Sequence, residues 1–322
     1  MPDSIKLLAD IGGTNARFAI HSKGVTRDVR VLLCADYPDL VTAARTYMKS
    51  VDAHPRQVAM AIAAPLQGDA VRMTNHPWQF SVSAVRAELE VDRLIVLNDF
   101  TALALSIPHL PKHELYKVGG GDAVANAPIA LIGPGTGLGV SGLLPTGEHW
   151  LPLQGEGGHA TLAAANEREA AVLAVFRERI GHVSAERVIS GAGLSFLHET
   201  LQTLSGHHEA TLTAAQIVDR ALANNDPICR ETLDIFCAML GTVAGNLALT
   251  LGAHGGVYIG GGIVPRFVEH FAQSPFRARF EDKGRYKSYL APIPVHVIQS
   301  EMPAFVGLVR AFIDPAPAVV SR

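Results

Sequence analysis

Two glycine turns, one carboxylate beside the first of them, and a few polar side chains at strand ends are the residues of this chain equipped for chemistry. The first turn lies in LLADIGGTNARFAI, residues 7–20, where an apolar run reaches Asp10, passes Gly12, Gly13, Thr14 and Asn15, and turns apolar again at Phe18. The second lies in ALIGPGTGLGVSGLL, residues 130–144, with Gly133, Gly135, Thr136 and Gly137. Glycine has no side chain to keep a ligand away, so the backbone N–H groups of such turns can converge on a phosphate. Neither stretch is GxxxxGK[ST] followed by a helix, and neither is a GxGxxG with an acidic residue placed after it. A P-loop ATPase of the usual kind and a nicotinamide cofactor are therefore disfavoured. Asp10 suits a magnesium ion held through water, because that ion binds by one or two carboxylates plus phosphates. A tight hairpin with a capping aspartate is the plainer alternative.

In LIVLNDFTALALS, residues 94–106, a strand ends at Leu97 and a helix starts after Asn98-Asp99. Either residue can be a simple helix N-cap. Alternatively, a carboxylate sits at the C-terminal edge of a strand, where α/β proteins bind ligands, kept anionic by the helix N-terminus. A base of low pKa is acceptable in phosphoryl transfer, whose transition state is loose and whose hydroxyl proton leaves late. LPLQGEGGHATLA, residues 151–163, sets Glu156 three positions before His159 in a glycine loop. That pair suits recognition of a polyol; a surface loop is the alternative, and no third ligand nearby supports a metal. In SAERVISGAGL, residues 184–194, Ser184 is a capping candidate and Glu186 lies in a first helical turn, which the helix dipole alone would favour. GGVYIGGGIVPRF, residues 255–267, is a strand entering Gly260, Gly261 and Gly262, followed by a proline and a helix. Backbone could approach a flat ligand such as adenine there, and a packing turn fits equally well. His207-His208 sits in a polar loop and receives no role.

Buried strands interleaved with helices position these groups. Residues 6–11, 58–63, 93–97, 129–133 and 256–260 read as strands; 39–50, 166–180 and 213–225 read as helices, and Asp226-Pro227 opens a long one. The alternation argues an α/β protein with mixed sheets. The two glycine stretches share a plan of apolar strand, Gly-Thr turn and apolar strand, which a fold of two similar halves would produce. A proline- and glycine-bearing break at 109–128 lies between the copies and reads as the crossing into a second domain. Residues 276–290, with mixed charges, read as a solvated loop, and Gly241 and Gly245 as a close helix-packing face.

The chain has 322 residues, 48% of them hydrophobic and 18% charged, so a sizeable core is expected and disorder is not. A net charge of −3 is too near neutral to suggest a nucleic-acid or membrane partner. Three cysteines without metal spacing fit a reduced, cytoplasmic compartment. No signal peptide is expected at the start of the chain, and apolar stretches such as 58–66 read as strand-sized, short of the roughly 20 residues of a membrane helix.

DIGGTNAR, TNHPWQFS, LNDFTALA, GPGTGLG, GEGGHA, AERVISGAGL and VYIGGGI, in that order along nearly the whole chain, resemble the bacterial glucokinase family of the hexokinase, actin and Hsp70 ATPase superfamily. The resemblance implies two actin-like ATPase (ribonuclease H-like) α/β domains with mixed sheets around a cleft. Residues 1–110 plus 301–322 would form the small domain and 111–300 the large one, with a C-terminal helix at about 301–313 returning to the small domain. By the same resemblance, Asp10, Gly12, Gly13, Thr14 and Asn15 form the first phosphate hairpin. Gly133, Gly135, Thr136 and Gly137 belong to the second, and Gly260, Gly261 and Gly262 lie near the adenosine. Asn98, Asp99, Glu156, His159 and Glu186 match glucose-contacting positions, with Asp99 the catalytic base, and Asn75 and His76 line the cleft.

The implied reaction moves the γ-phosphoryl group of ATP, with magnesium at Asp10, to O6 of glucose in a cytoplasmic protein, a homodimer as is common in the family. Hexose-driven closure would limit ATP hydrolysis by water. The related ROK kinases carry a cysteine-rich zinc motif after their Gly-His loop; ATLAAANERE follows His159 here, so no structural zinc is expected. Only nine residues precede Asp10, which argues against a DNA-binding segment there. The rivals are a kinase of another hexose or amino sugar, one using polyphosphate, an actin- or Hsp70-like ATPase without sugar, and a sugar sensor that has lost catalysis.

Overall fold

The computed structural model describes residues 5–66, 68–207, 210–314 and 319–321; His208 lies outside the described residues. Along the chain the strands are Lys6–Ile11 (β1), Asn15–Ser22 (β2), Val25–Leu33 (β3), Gln57–Ile62 (β4), Ala70–Arg72 (β5), Gln79–Ser81 (β6), Arg93–Asn98 (β7), Leu115–Gly119 (β8), Ile129–Pro134 (β9), Leu138–Thr146 (β10), His149–Gln154 (β11), Val257–Ile259 (β12), Val295–Ile298 (β13) and Val319–Ser321 (β14). Contacts divide the chain into two compact units. One comprises residues 1–111, 143–154 and 300–322; the other comprises 112–142 and 155–299. The sequence reading placed 143–154 in the large domain. They group with the first unit because β11 packs on the helix Asp99–Ser106 and His149 bonds Asp314 at 3.1 Å.

The first unit is built on a mixed sheet in the order β14-β7-β4-β1-β2-β3. β1, β4 and β7 run parallel, while β2 and β3 return antiparallel. Parallel strands covered on both faces read as continuous apolar runs, and VAMAI of β4 is buried throughout. Ile11, Ile62 and Asn98 lie in one row across this sheet, so the chain leaves β1, β4 and β7 at the same edge. The second sheet has the order β11-β10-β9-β12-β13-β8, with β9, β12 and β13 parallel and β8 antiparallel. Each sheet thus follows one plan, a strand and its hairpin partner beside two crossover strands. The Gly-Thr turns sit at equivalent points, between β1 and β2 and between β9 and β10. This is the repeat that the two glycine stretches suggest, and the mixed α/β class stands.

Helix starts follow from local chemistry. Asp39, Ser81, Asn166 and Asp226 each cap a helix with a side-chain oxygen, and Thr213 and Gln216 form a capping box. Ser184 does not: it precedes the helix Ala185–Val188 without a side-chain cap bond, so the capping expectation fails there. The long helix Pro227–Leu251 starts with proline at its first position and stops at Gly252, which is left-handed at φ 62°. By length and composition it could cross a membrane, which corrects the view that all apolar stretches are strand-sized. Phe236, Cys237, Met239 and Leu240 put one side of it into the core of the second unit.

Residues 276–290 are not a solvated loop. They form the helices Phe276–Glu281 and Lys287–Leu290, with Phe276, Phe280 and Leu290 fully buried. Four-residue spacing places both phenylalanines on one face, and the charges that suggested a loop are paired within the fold: Arg277 bonds Glu281 and the Ile293 carbonyl, and Arg279 bonds Glu169. The backbone of this helix meets Gly241 and Gly245, where an added Cβ would come within 2.3 Å of the Phe276 carbonyl oxygen and 2.5 Å of that of Phe280.

In the first unit the helix Pro303–Arg310 packs on Asp99–Ser106. Beyond it, Arg310 donates to both oxygens of Asp314, whose side chain is 1% exposed. Burial works to raise this carboxyl, but the Arg310 guanidinium and His149 outweigh it and hold it below the usual carboxylate range. A depressed native pKa stabilises the fold above the unfolded-state value, and that stability is lost as pH falls through the native one. Asp314→Asn is therefore expected to cost about 3 kcal/mol at neutral pH. It should also flatten the stability profile below about pH 4, where wild type loses this contribution. Urea unfolding at several pH values checks both.

Candidate active site

In the first unit, the turn between β1 and β2 is closed by the Gly12 N–H donating to the Asn15 carbonyl at 2.9 Å. The Cys34 N–H holds the Thr14 carbonyl at 2.9 Å from the far side. Gly13 admits no side chain, since a Cβ there would stand 2.9 Å from Asn75 Cβ and 3.0 Å from the Asn75 carbonyl oxygen. Asn75 therefore covers the turn. Its neighbour His76 accepts the Trp78 N–H at 3.3 Å and meets the Trp78 ring edge-on. Asp10 pairs with Arg17, its register partner on β2, at 3.0 Å. Burial raises the Asp10 carboxyl above the usual range, and Arg17 opposes that shift. Arg17 belongs to the DIGGTNAR stretch, yet sequence reasoning gave it no role; a hairpin turning at Gly12-Gly13-Thr14, which sets position 17 opposite Asp10, was the available signal.

Asn98 ends β7 and is the N-cap of Asp99–Ser106, accepting the Phe100 and Thr101 N–H groups at 2.9 and 3.2 Å. Its Nδ2 donates to the Ala64 carbonyl at 3.3 Å, fastening the loop after β4 to the end of β7. An amide NH2 carries two hydrogens, so one of them remains for a ligand. Asp99 Oδ1 accepts the Phe100 N–H at 2.9 Å, which ties the carboxylate to the helix start. Capping and ligand binding are thus compatible at this pair.

In the second unit, Gly135 N–H donates to the Gly137 carbonyl at 2.8 Å and closes the turn between β9 and β10, which contains Thr136 and follows Gly133. Gly260, Gly261 and Gly262 lie beside it. Gly260 N–H bonds the Ile132 carbonyl, and Gly261, at φ 77°, would place a Cβ 2.3 Å from the Pro134 carbonyl oxygen. The helix Gly191–Leu204 starts against the same turn, its Gly191 N–H donating to the Gly135 carbonyl at 2.9 Å. Sequence reasoning left Ser190-Gly191 without a role, although SGAG signals a helix start with room for close backbone approach.

Glu186 binds this turn directly. Its Oε2 accepts the Leu138 N–H at 2.9 Å, and a Cβ on Gly137 would fall 2.4 Å from that oxygen. Its Oε1 lies 4.0 Å from His159 Nδ1, and His159 Nε2 lies 4.0 Å from Glu156 Oε2. Glu156, His159 and Glu186 therefore form one polar row. Gly158 allows it, since a Cβ there would meet the Leu138 carbonyl oxygen at 2.1 Å. Glu156 and His159 remain more than half exposed, as ligand-facing groups must.

Paired glycine turns on two sheets of like order, with carboxylates at strand ends, define a phosphoryl-transfer enzyme of the actin-like ATPase fold. The glucokinase family model matches residues 7–314. A curated glucokinase of Chromobacterium violaceum is 54% identical over 311 residues, 96% of this chain and 89% of its own. The crystal structure of a glucokinase from an Antarctic psychrotroph superposes with a TM-score of 0.87 at 36% identity, covering 96% of this chain and 98% of that one. A ROK hexokinase from Thermus thermophilus shares the fold with a TM-score of 0.67 at 16% identity, covering 95% and 97%. The chain belongs to the glucokinase family, and its activity is the ATP-dependent phosphorylation of glucose.

Proposed function

We propose that Asp99 takes the proton from O6 of glucose as that oxygen attacks the γ-phosphorus of ATP. Asn98, Glu156, His159 and Glu186 hold the sugar hydroxyls. The turns at Gly12, Gly13, Thr14 and Asn15 and at Gly133, Gly135, Thr136 and Gly137 offer the phosphates those backbone N–H groups that the closing bonds of Gly12 and Gly135 leave over, and Gly260, Gly261 and Gly262 leave room for the adenosine. The observation that carries this reading is that Glu186 serves two neighbours. One oxygen accepts a backbone N–H at the end of the second glycine turn, and the other reaches towards His159, so phosphate and sugar contacts are built on one framework.

Magnesium fits the first turn. Asp10 offers a carboxylate beside a glycine cradle that a Cβ would fill. There the ion would offset phosphate charge, with Asp10 holding it through water. Orienting two bound reactants can account for several kcal/mol of barrier lowering, with about 7–11 as the ceiling. Hydroxyl recognition by polar groups that lose their partners when a hydroxyl is missing favours glucose over deoxy analogues. A cytoplasmic homodimer belongs to the same reading; the thiols of Cys34, Cys229 and Cys237 are all buried and form no disulfide, in keeping with a reducing compartment.

Glu156→Ala tests the sugar half of this account. Loss of a charge-assisted hydrogen bond costs about 1.5–3 kcal/mol, or roughly 10- to 100-fold. The KM for glucose should rise by that factor while the KM for ATP stays within about twofold. An unchanged glucose KM would remove Glu156 from the sugar site.

A further inference from the structure

His198, Asp226 and Cys229 belong to no part of the site described above, and sequence spacing does not join them. His198 lies in the second turn of Gly191–Leu204, Asp226 caps Pro227–Leu251, and Cys229 lies in the first turn of that long helix. Packing of the two helices brings one ligand atom from each residue within 4.8 Å of the others. Cys229 is fully buried and His198 is 1% exposed.

We propose that these three side chains bind one thiophilic divalent metal ion, with Zn²⁺ the best match. Imidazole nitrogen, thiolate sulfur and carboxylate oxygen are a zinc donor set, and a hard ion such as magnesium would not take the sulfur. Cys229 Sγ and His198 Nε2 stand 3.5 Å apart. Metal bonds of about 2.3 Å to sulfur and 2.0–2.1 Å to nitrogen, at a tetrahedral angle, separate those atoms by about 3.6 Å. That pair is therefore already spaced for a shared ion. Asp226 Oδ1 accepts the Cys229 N–H at 2.9 Å, which fixes the carboxylate beside the sulfur and leaves Oδ2 to the metal. The Arg220 guanidinium is 3.7 Å from Oδ2, on a side chain 46% exposed that can swing into solvent. On binding, the Cys229 thiol gives its proton to solvent and His198 coordinates as the neutral imidazole.

A second feature supplies access. A cavity of about 550 Å³ opens on Asp226, and its wall also carries Glu169, Glu231 and Asp234 against Arg230 and Arg279. Glu169, Glu231 and Asp234 are paired with Arg279, Arg168 and Arg230, so Asp226 is the carboxylate through which the cavity can admit an ion and the water for a fourth coordination position. The proposal departs from the expectation of no structural zinc, which rested on the missing cysteine motif after His159; this cluster is elsewhere in the chain. An ion here would tie Gly191–Leu204 to the start of the long helix, and Gly191 is the residue that bonds the second glycine turn.

Titration of the chelator-treated full-length protein with Co²⁺, without sugar or nucleotide, tests the site. One equivalent should produce a thiolate-to-cobalt charge-transfer band and tetrahedral d–d bands, bleached by one equivalent of Zn²⁺, and Zn²⁺ should raise Tm. Cys229→Ser should abolish the charge-transfer band, and Asp226→Asn, which keeps a capping side chain, should weaken Co²⁺ binding at least tenfold. Should Cys229→Ser fail to fold, Cys34→Ser/Cys237→Ser leaves Cys229 as the only thiol and must retain the band. No band in the wild-type protein, a band that survives Cys229→Ser, or its loss in the Cys34→Ser/Cys237→Ser variant overturns the proposal.

Discussion

Asp99→Asn should lower kcat about 10²- to 10⁴-fold, the range for losing a positioned general base, and leave ATP affinity within about threefold of wild type. Asn keeps the size of the side chain and an oxygen able to accept the Phe100 N–H, as Asp99 Oδ1 does now at 2.9 Å. The helix start is therefore preserved while the proton acceptor is lost. Asn98→Ala separates the two roles at this strand end. Asn98 caps Phe100 and Thr101, so its loss costs about 1 kcal/mol of stability and, on the proposed reading, a sugar contact. Stopped-flow nucleotide binding and steady-state turnover on the same preparations check the difference. Near-wild-type kcat for Asp99→Asn would sink the assignment of the base.

The second large effect is expected at a glycine between two packed helices. Gly307, in Pro303–Arg310, lies against the helix that Asp99 begins, and a Cβ on it would fall 1.7 Å from the Ala102 carbonyl oxygen and 2.7 Å from its carbon. Both helices are fixed by burial, with Phe305 and Leu308 on one and Ala102, Ala104 and Leu105 on the other. Backbone cannot yield as the end of a flexible side chain would. Gly307→Ala should therefore cost about 3 kcal/mol through forced separation of the pair. It should also depress kcat in the protein that remains folded, because the displaced helix carries Asp99 at its first position. Urea unfolding and kcat per folded molecule measure the two separately. Wild-type stability in this variant would contradict the packing.

Polar clusters and turns were the most legible part of the sequence. Glycine turns, strand ends and caps are local, and their residue types announce them: Asp10 before Gly12-Gly13, Asn98-Asp99 before an apolar helix, Glu156 three positions before His159. The meeting of Glu186 with Leu138 was not legible from spacing, since 48 positions separate the two. The family resemblance named Glu186 without saying what fixes it. The misreading of residues 276–290 had a different cause. Arg277, Arg279, Glu281 and Lys283 dominate the composition, but Phe276 and Phe280 decide the structure by their full burial, while their backbone carbonyls lie against Gly241 and Gly245 of the long helix. Likewise, the hairpin tip at 143–154 takes its place from packing of β11 on Asp99–Ser106, a contact no local pattern encodes. His198 and Cys229 illustrate the same limit, since helix packing alone makes them neighbours.

The most direct test of the central claim is ADP formation from Mg-ATP by the purified chain, without sugar and with glucose, fructose, mannose or N-acetylglucosamine in turn, alongside detection of the sugar phosphate. The account predicts ADP release that depends strongly on glucose, with glucose 6-phosphate formed in equal amount and little ADP in the absence of sugar. ADP release of the same size without sugar would contradict it and favour an ATPase of the actin or Hsp70 kind, and preference for another sugar would reassign Asn98, Glu156, His159 and Glu186 to that substrate.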